Sequence, residues 1–134
     1  MNIKRVILII LIALVNFIPA ACSYIPPKIV AVDESYSGRV VTLMRYATLT
    51  VSLVSNPAAG YSWNDTAGIT DKDVIQQTDH KYVPSSAPLP DAPGTQVWTF
   101  DALEPGASII TMSYLRPVNS YSPDPAFTLT VVVK

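Results

Sequence analysis

Apolar residues recurring at every second position, short segments broken by proline and glycine, and no capped helical stripe of useful length together predict an all-β chain. The clearest run is residues 47–54, where Leu49, Val51 and Leu53 fall on one face and Thr48, Thr50 and Ser52 on the other. Trp98 and Phe100 share a face across Thr99, and Ile110, Met112 and Tyr114 share one across Thr111 and Ser113. Phe127, Leu129, Val131 and Val133 alternate with Thr128 and Thr130 near the C-terminus. Each is the pattern of a strand buried on one side, rich in residues that suit a pleated surface. Residues 56–60, 84–94, 104–106 and 117–125 separate these runs, and each gap contains proline, glycine or both. Residues 71–77 could form at most a short helical turn. Short strands spaced in this way predict an immunoglobulin-like antiparallel β-sandwich.

Length and composition bound the function. A chain of 134 residues suits one domain. Nine basic and ten acidic side chains give a formal net charge of −1, which offers no electrostatic footprint for nucleic acid. One cysteine and one histidine exclude an intrachain disulfide framework and a zinc cluster of the CxxC type. Carboxylate pairs such as Asp71 and Asp73 occur with no nucleophile or ligand set beside them. The sequence therefore points away from an enzyme, with no cofactor and no metal expected, and to a monomer.

The N-terminus carries a targeting pattern. Lys4 and Arg5 precede an apolar run from Val6 to Val15, and Pro19-Ala20-Ala21-Cys22 follows. The run is shorter than the roughly 20 apolar residues of a membrane-spanning helix. Residues 1–21 read as a signal peptide, with an uncleaved anchor helix as the alternative. Cys22 after two alanines resembles the lipobox of bacterial lipoproteins, which implies acylation of its thiol; Pro19 stands where that motif usually has leucine. Ordinary cleavage near Ala21 or Cys22 is the other reading. Pro26-Pro27 makes residues 22–28 an extended tether, and residues 29–134 form the domain. The expected location is outside the cytoplasm, either lipid-anchored to the membrane through Cys22, or periplasmic or secreted.

Three of the gaps have distinctive chemistry, and a sandwich presents such loops at its ends. The first is Asn56-Pro57-Ala58-Ala59-Gly60-Tyr61, with Trp63 close behind. Asn and Pro start a turn and Gly60 permits a positive φ, so two small side chains project from a stiffened backbone. The second, residues 84–94, is proline-rich and leads into Thr95. The third opens Tyr114-Leu115-Arg116-Pro117-Val118 and runs on to Ser122.

At these residues the chain resembles the chagasin-like inhibitors of papain-family cysteine proteases. NPAAGYSW at 56–63 stands where the family has NPTTGY and an aromatic. Asp91-Ala92-Pro93-Gly94-Thr95 followed by Trp98 fits the frame of its GxGG loop and keeps the last glycine, and YLRPV at 114–118 stands for YxRPW. Phe100, Asp101, Ala102, Gly106 and Ile110 fall at the family's spacing. The resemblance covers roughly residues 30–134. It implies reversible inhibition without chemistry, in which loops around 56–61, 84–95 and 116–122 fill the cleft of a papain-family protease. It also implies that Asn56, Pro57, Ala58, Ala59, Gly60, Tyr61, Gly94, Arg116, Pro117 and Val118 make the contact. Ala58 replaces the family's threonine, Val118 its tryptophan, and Asp91 and Pro93 two of its glycines; Tyr121 is an aromatic close to Val118.

Other readings of the same residues remain. Tyr61, Trp63 and Tyr114 could be core residues beneath the loops, Asn56 and Gly60 could only shape a turn, and Arg116 could be a solvated surface residue. His80, beside Lys81 and Tyr82, reads as a surface histidine without a partner, and Asn64-Asp65-Thr66 matches a glycosylation sequon. An exported immunoglobulin-like binding or assembly module that has lost inhibition is the alternative function.

Overall fold

The computed structural model describes residues 28–115 and 126–134. The expected signal peptide 1–21, Cys22, residues 22–27 of the expected tether, and Arg116, Pro117, Val118 and Tyr121 lie outside the described residues. Among the described residues nine strands follow one another: β1 Ile29–Val32, β2 Val40–Leu43, β3 Thr48–Ser55, β4 Ser62–Trp63, β5 Gly68–Ile69, β6 Ile75–Val83, β7 Gly94–Ala102, β8 Gly106–Leu115 and β9 Ala126–Val133. Among the described residues there is no α-helix, only two 3-10 turns, Glu34–Tyr36 and Pro57–Ala59. Of residues 71–77, only 72–74 form a turn, closed by the Ile75 N–H donating to the Asp71 carbonyl at 3.4 Å, and 75–77 already belong to β6.

The strands make two sheets. One has the order β1-β3-β7-β6; the other is β2-β9-β8-β4, with β5 also on β8. Most neighbours are antiparallel, but β1 runs parallel to β3 and β2 parallel to β9, which corrects the expectation of a wholly antiparallel arrangement. The cause is the link between β1 and β2. Instead of turning back as a hairpin, it carries the chain from one sheet to the other, so each of these edge strands pairs with a later strand. Asp33 starts that link: its carboxylate accepts from the Ser35 hydroxyl at 2.6 Å and from the Ser35 N–H at 2.9 Å, and these bonds hold its pKa below the usual aspartate value.

The period-two runs are borne out. Leu49, Val51 and Leu53 of β3, Trp98 and Phe100 of β7, Ile110 and Met112 of β8, and Phe127, Leu129, Val131 and Val133 of β9 are buried in one cluster fed by both sheets. Strand β6 shows no such alternation. It lies at an edge with most of its residues exposed, and its register on β7 slips between Gln77 and Asp79. A bulged edge strand has no buried face to impose a period.

One end of the molecule is clamped. In the turn between β2 and β3, Arg45 forms an ion pair with Glu104 at 2.5 Å and donates from Nε to the Leu103 carbonyl at 2.9 Å. Its guanidinium lies 4.7 Å from the Tyr46 ring centroid, while Tyr46 holds a φ of 67° and donates its N–H to the Ala102 carbonyl at 2.9 Å. The turn after β2 is thereby fastened to the turn after β7.

Stability should follow this division between core and face. Phe100→Ala is expected to lower the free energy of unfolding in urea by about 3–5 kcal/mol, as for other large buried aromatics. Val54→Thr, on the exposed face of β3, should change it by no more than about 0.5 kcal/mol.

Candidate functional site

The end opposite the clamp carries the first two distinctive connections and the strand ends that flank the third. Ser55, the last residue of β3, lies opposite Gly94, the first of β7. Thr95 lies opposite Val83, the last residue of β6. On the other sheet Ser62 lies opposite Leu115, the last residue of β8. Residues 56–61 and 84–93 therefore leave the sheets side by side, and the strand ends flanking 116–125 stand next to them.

The first loop is a closed turn. Asn56 and Tyr61 exchange both backbone hydrogen bonds at 3.0 Å. Between them Pro57–Ala59 forms a 3-10 turn, in which Ala59 N–H donates to the Asn56 carbonyl at 3.1 Å and Gly60 N–H to the Pro57 carbonyl at 3.0 Å. Gly60 has a φ of 84°, the left-handed conformation expected of it. Pro57, Ala58, Ala59 and Gly60 are exposed; Asn56 and Tyr61 are half-buried. Asn56 thus shapes the turn through its backbone, and its Oδ1 is buried with no hydrogen-bond partner among the described residues.

Aromatic rings brace the turn from below. Tyr61 stacks on Tyr114 with centroids 5.9 Å apart, and Trp63 tilts against the same Tyr114 ring at 4.8 Å. Trp63 is a core residue, its Nε1 donating to the Val54 carbonyl at 2.9 Å. Tyr61 and Tyr114 are half-buried supports, so each of the three belongs to the base of the loop.

The group that unites this end is Gln96, on which the motifs of the sequence place no emphasis. It is 3% exposed. Its Oε1 accepts from the Ser55 hydroxyl at 2.7 Å and from the Trp63 N–H at 2.8 Å, while its Nε2 donates to the Trp63 carbonyl at 3.2 Å. The side-chain amide occupies the place a neighbouring strand would take, pairing with the backbone of Trp63 from across the core. The Ser55 hydroxyl also reaches the Tyr61 carbonyl at 3.3 Å. The sequence does carry a signal for it: Gln96 is in phase with Trp98 and Phe100, and a polar residue on a buried face must find partners.

His80 is likewise not the solitary surface residue expected. Paired opposite Trp98, it is half-buried, with its ring 5.1 Å from that indole and its Nε2 3.1 Å from Gln96 Nε2. In the second loop Asp91 takes a φ of 63°, the conformation for which glycine is the usual residue and which Asp tolerates better than most. Gly94 is buried and does not present surface. A Cβ there would lie 2.5 Å from the Val83 carbonyl and 2.6 Å from Tyr82 Cζ, so its role is to admit Tyr82. Asn64 of the sequon is engaged with β8, its Oδ1 accepting from the Ser113 N–H at 2.7 Å.

The two-sheet scaffold thus carries a closed, small-residue tip beside the second connection at one end. The chain belongs to the chagasin family of peptidase inhibitors, I42, whose model matches residues 43–133. That family consists of inhibitors, not enzymes. Among solved structures, the cysteine protease inhibitor EhICP2 of Entamoeba histolytica aligns with a TM-score of 0.65 at 19% identity, over 80% of this chain and 96% of that one. Amebosin aligns at 0.61 with 25% identity, over 81% and 100%. PbICP-C, solved in complex with falcipain-2, aligns at 0.55 with 18% identity, over 81% and 91%. No curated protein sequence matches the chain.

Gln96→Leu, which keeps the volume and removes the amide, should cost about 2–4 kcal/mol, because it deprives the buried Trp63 N–H and carbonyl of the side chain that pairs with both. Gly94→Ala should cost about 1–3 kcal/mol by overpacking against Tyr82. Thermal unfolding followed by circular dichroism measures both.

Proposed function

We propose that the protein is a reversible inhibitor of papain-like cysteine proteases that inserts the loops around 56–61, 84–95 and 116–122 into the active-site cleft. The observation that carries this reading is the tip Pro57–Ala59, a 3-10 turn closed by the Asn56–Tyr61 pair and set at the same end as the strand ends of the other two loops. Membership of the inhibitor family supports it, as do a structural relative described as a cysteine protease inhibitor and another solved with falcipain-2.

A turn already closed by four backbone hydrogen bonds loses little conformational entropy on docking. Ala58 and Ala59 are small enough to enter a narrow groove, and with no hydroxyl at Ala58 the contact depends on shape. A protease takes its substrate as an extended strand; a 3-10 turn with a left-handed glycine does not lie that way, so its peptide bonds are withheld from attack. Pro57, Ala58, Ala59 and Gly60 form the inserted surface, with Asn56 and Tyr61 holding its ends. Arg116, Pro117 and Val118 are read as further contact residues from the family resemblance of residues 114–118, and Gly94 closes the second loop. The scaffold is read as an immunoglobulin-like β-sandwich, a reading supported by two sheets that share one core. The protein works as a monomer outside the cytoplasm, exported by residues 1–21 and tethered through an acylated Cys22, on the sequence pattern around Pro19-Ala20-Ala21-Cys22.

Titration of papain with residues 23–134 tests the reading, and a protein that leaves papain fully active would defeat it in favour of a binding module without inhibition. Ala58→Trp is expected to weaken inhibition by at least roughly tenfold, with little change in thermal stability because the residue is exposed. Equal potency of that variant would show that the first loop is not the inserted element. Val118→Trp, which restores the family's aromatic, should tighten binding by about 1–2 kcal/mol, mainly as slower dissociation measured by surface plasmon resonance.

A further inference from the structure

His80 is the chain's single histidine, and it stands one hydrogen bond from the group that sets the base of the first loop. The orientation of the Gln96 amide is dictated by Trp63. The Trp63 N–H can only donate, so Oε1 faces it at 2.8 Å; the Trp63 carbonyl can only accept, so Nε2 faces it at 3.2 Å. The second hydrogen on Nε2 is directed to His80 Nε2, 3.1 Å away. His80 Nε2 must therefore be the acceptor, which places the ring proton of the neutral imidazole on Nδ1, on the side of Asp65 Oδ1 at 3.7 Å. Asp65, from the link between β4 and β5, is the charged group facing the ring from another element; Trp98 and Gln96 face it from β7. Asp79 and Lys81 flank it along β6, and both are exposed.

Protonation converts Nε2 from acceptor to donor. Two donors then oppose each other, and Gln96 has no remedy by flipping. A flipped amide would set its NH₂ against the Trp63 N–H and its oxygen against the Trp63 carbonyl, two mismatches in exchange for one. The remaining course is for the imidazolium, whose side chain is already 20% exposed, to leave Gln96 and move toward the Asp65 carboxylate. We propose that His80 is a pH switch on the protease-binding loops: neutral, it completes the hydrogen bonding of Gln96 and fixes the first loop; protonated, it releases Gln96, loosens Ser55, Tyr61 and Trp63, and weakens inhibition. The proposal rests on the inhibitory reading and adds its regulation. Neutral conditions favour the tight inhibitor, and acidification through the range where imidazole takes up a proton favours release.

Two measurements between pH 8 and pH 5 test it. In the protein alone, ¹⁵N NMR should show His80 with an unprotonated Nε2 at pH 8, and the Trp63 backbone amide should shift with the same midpoint as the ring. Against papain, the inhibition constant should rise roughly tenfold over the range, the scale of one lost buried hydrogen bond. His80→Gln keeps an acceptor without a titrating group, so it should remove both effects; comparing the two proteins at each pH cancels the titration of papain itself. Inhibition with one pH profile for both proteins, or a Trp63 amide that does not follow the His80 ring, would overturn the switch and leave the inhibitory reading intact. If His80→Gln does not fold, the coupled or uncoupled titration of ring and amide in the parent decides. Absence of inhibition at every pH, with the Trp63 amide still following the ring, would instead overturn the inhibitory reading and the regulation built on it.

Discussion

The architecture of the loop end depends on one amide. Gln96 projects from β7 into the core and pairs with the backbone of Trp63, which belongs to the opposite sheet. Its oxygen also holds the Ser55 hydroxyl at the point where β3 gives way to the first loop. A two-residue strand such as β4 has few ladder bonds of its own, so a side chain that mimics a neighbouring strand fixes its position. Around that pairing the Tyr61, Tyr114 and Trp63 rings fill the space beneath the turn. The exposed tip consequently sits on a support built from both polar and apolar contacts, a condition for a loop that must keep its shape when free.

Much of this is legible in the amino-acid sequence. Alternation identifies the central strands because each has one buried face, and Gly60 announces its left-handed turn. What the sequence conceals has equally specific causes. Strand β6 escapes notice because an edge strand has no face that burial forces to be apolar. His80 looks solitary because its partners, Gln96 and Trp98, come from a strand sixteen and eighteen residues further on, and only the register of β6 on β7 brings them together. That Gly94 also leaves room for Tyr82 emerges only once β6 is laid against β7. Parallel pairing of β1 and β2 with later strands cannot be read from either segment, since it follows from the path between them.

The two ends of the molecule differ in construction. At the far end, an ion pair, a cation–aromatic contact and short turns tie adjacent strand connections to one another. At the loop end the connections are longer and carry prolines. One end fastens the strand connections to each other, while the other carries the exposed residues of the first loop.

The parallel pairing of β1 with β3 has a geometric consequence. Ile29 lies opposite Thr48, and the Lys28 carbonyl accepts from the Thr48 N–H at 3.0 Å, so the polypeptide enters beside the start of β3, away from the loops. Strand β3 is eight residues long, a span of about 26 Å at the usual rise of a strand. The entry point at residue 28 and the Pro57–Ala59 tip therefore lie at opposite poles of the molecule. Under the proposed N-terminal anchoring, the long axis of β3 would stand off the surface and the Pro57–Ala59 tip would face away from it.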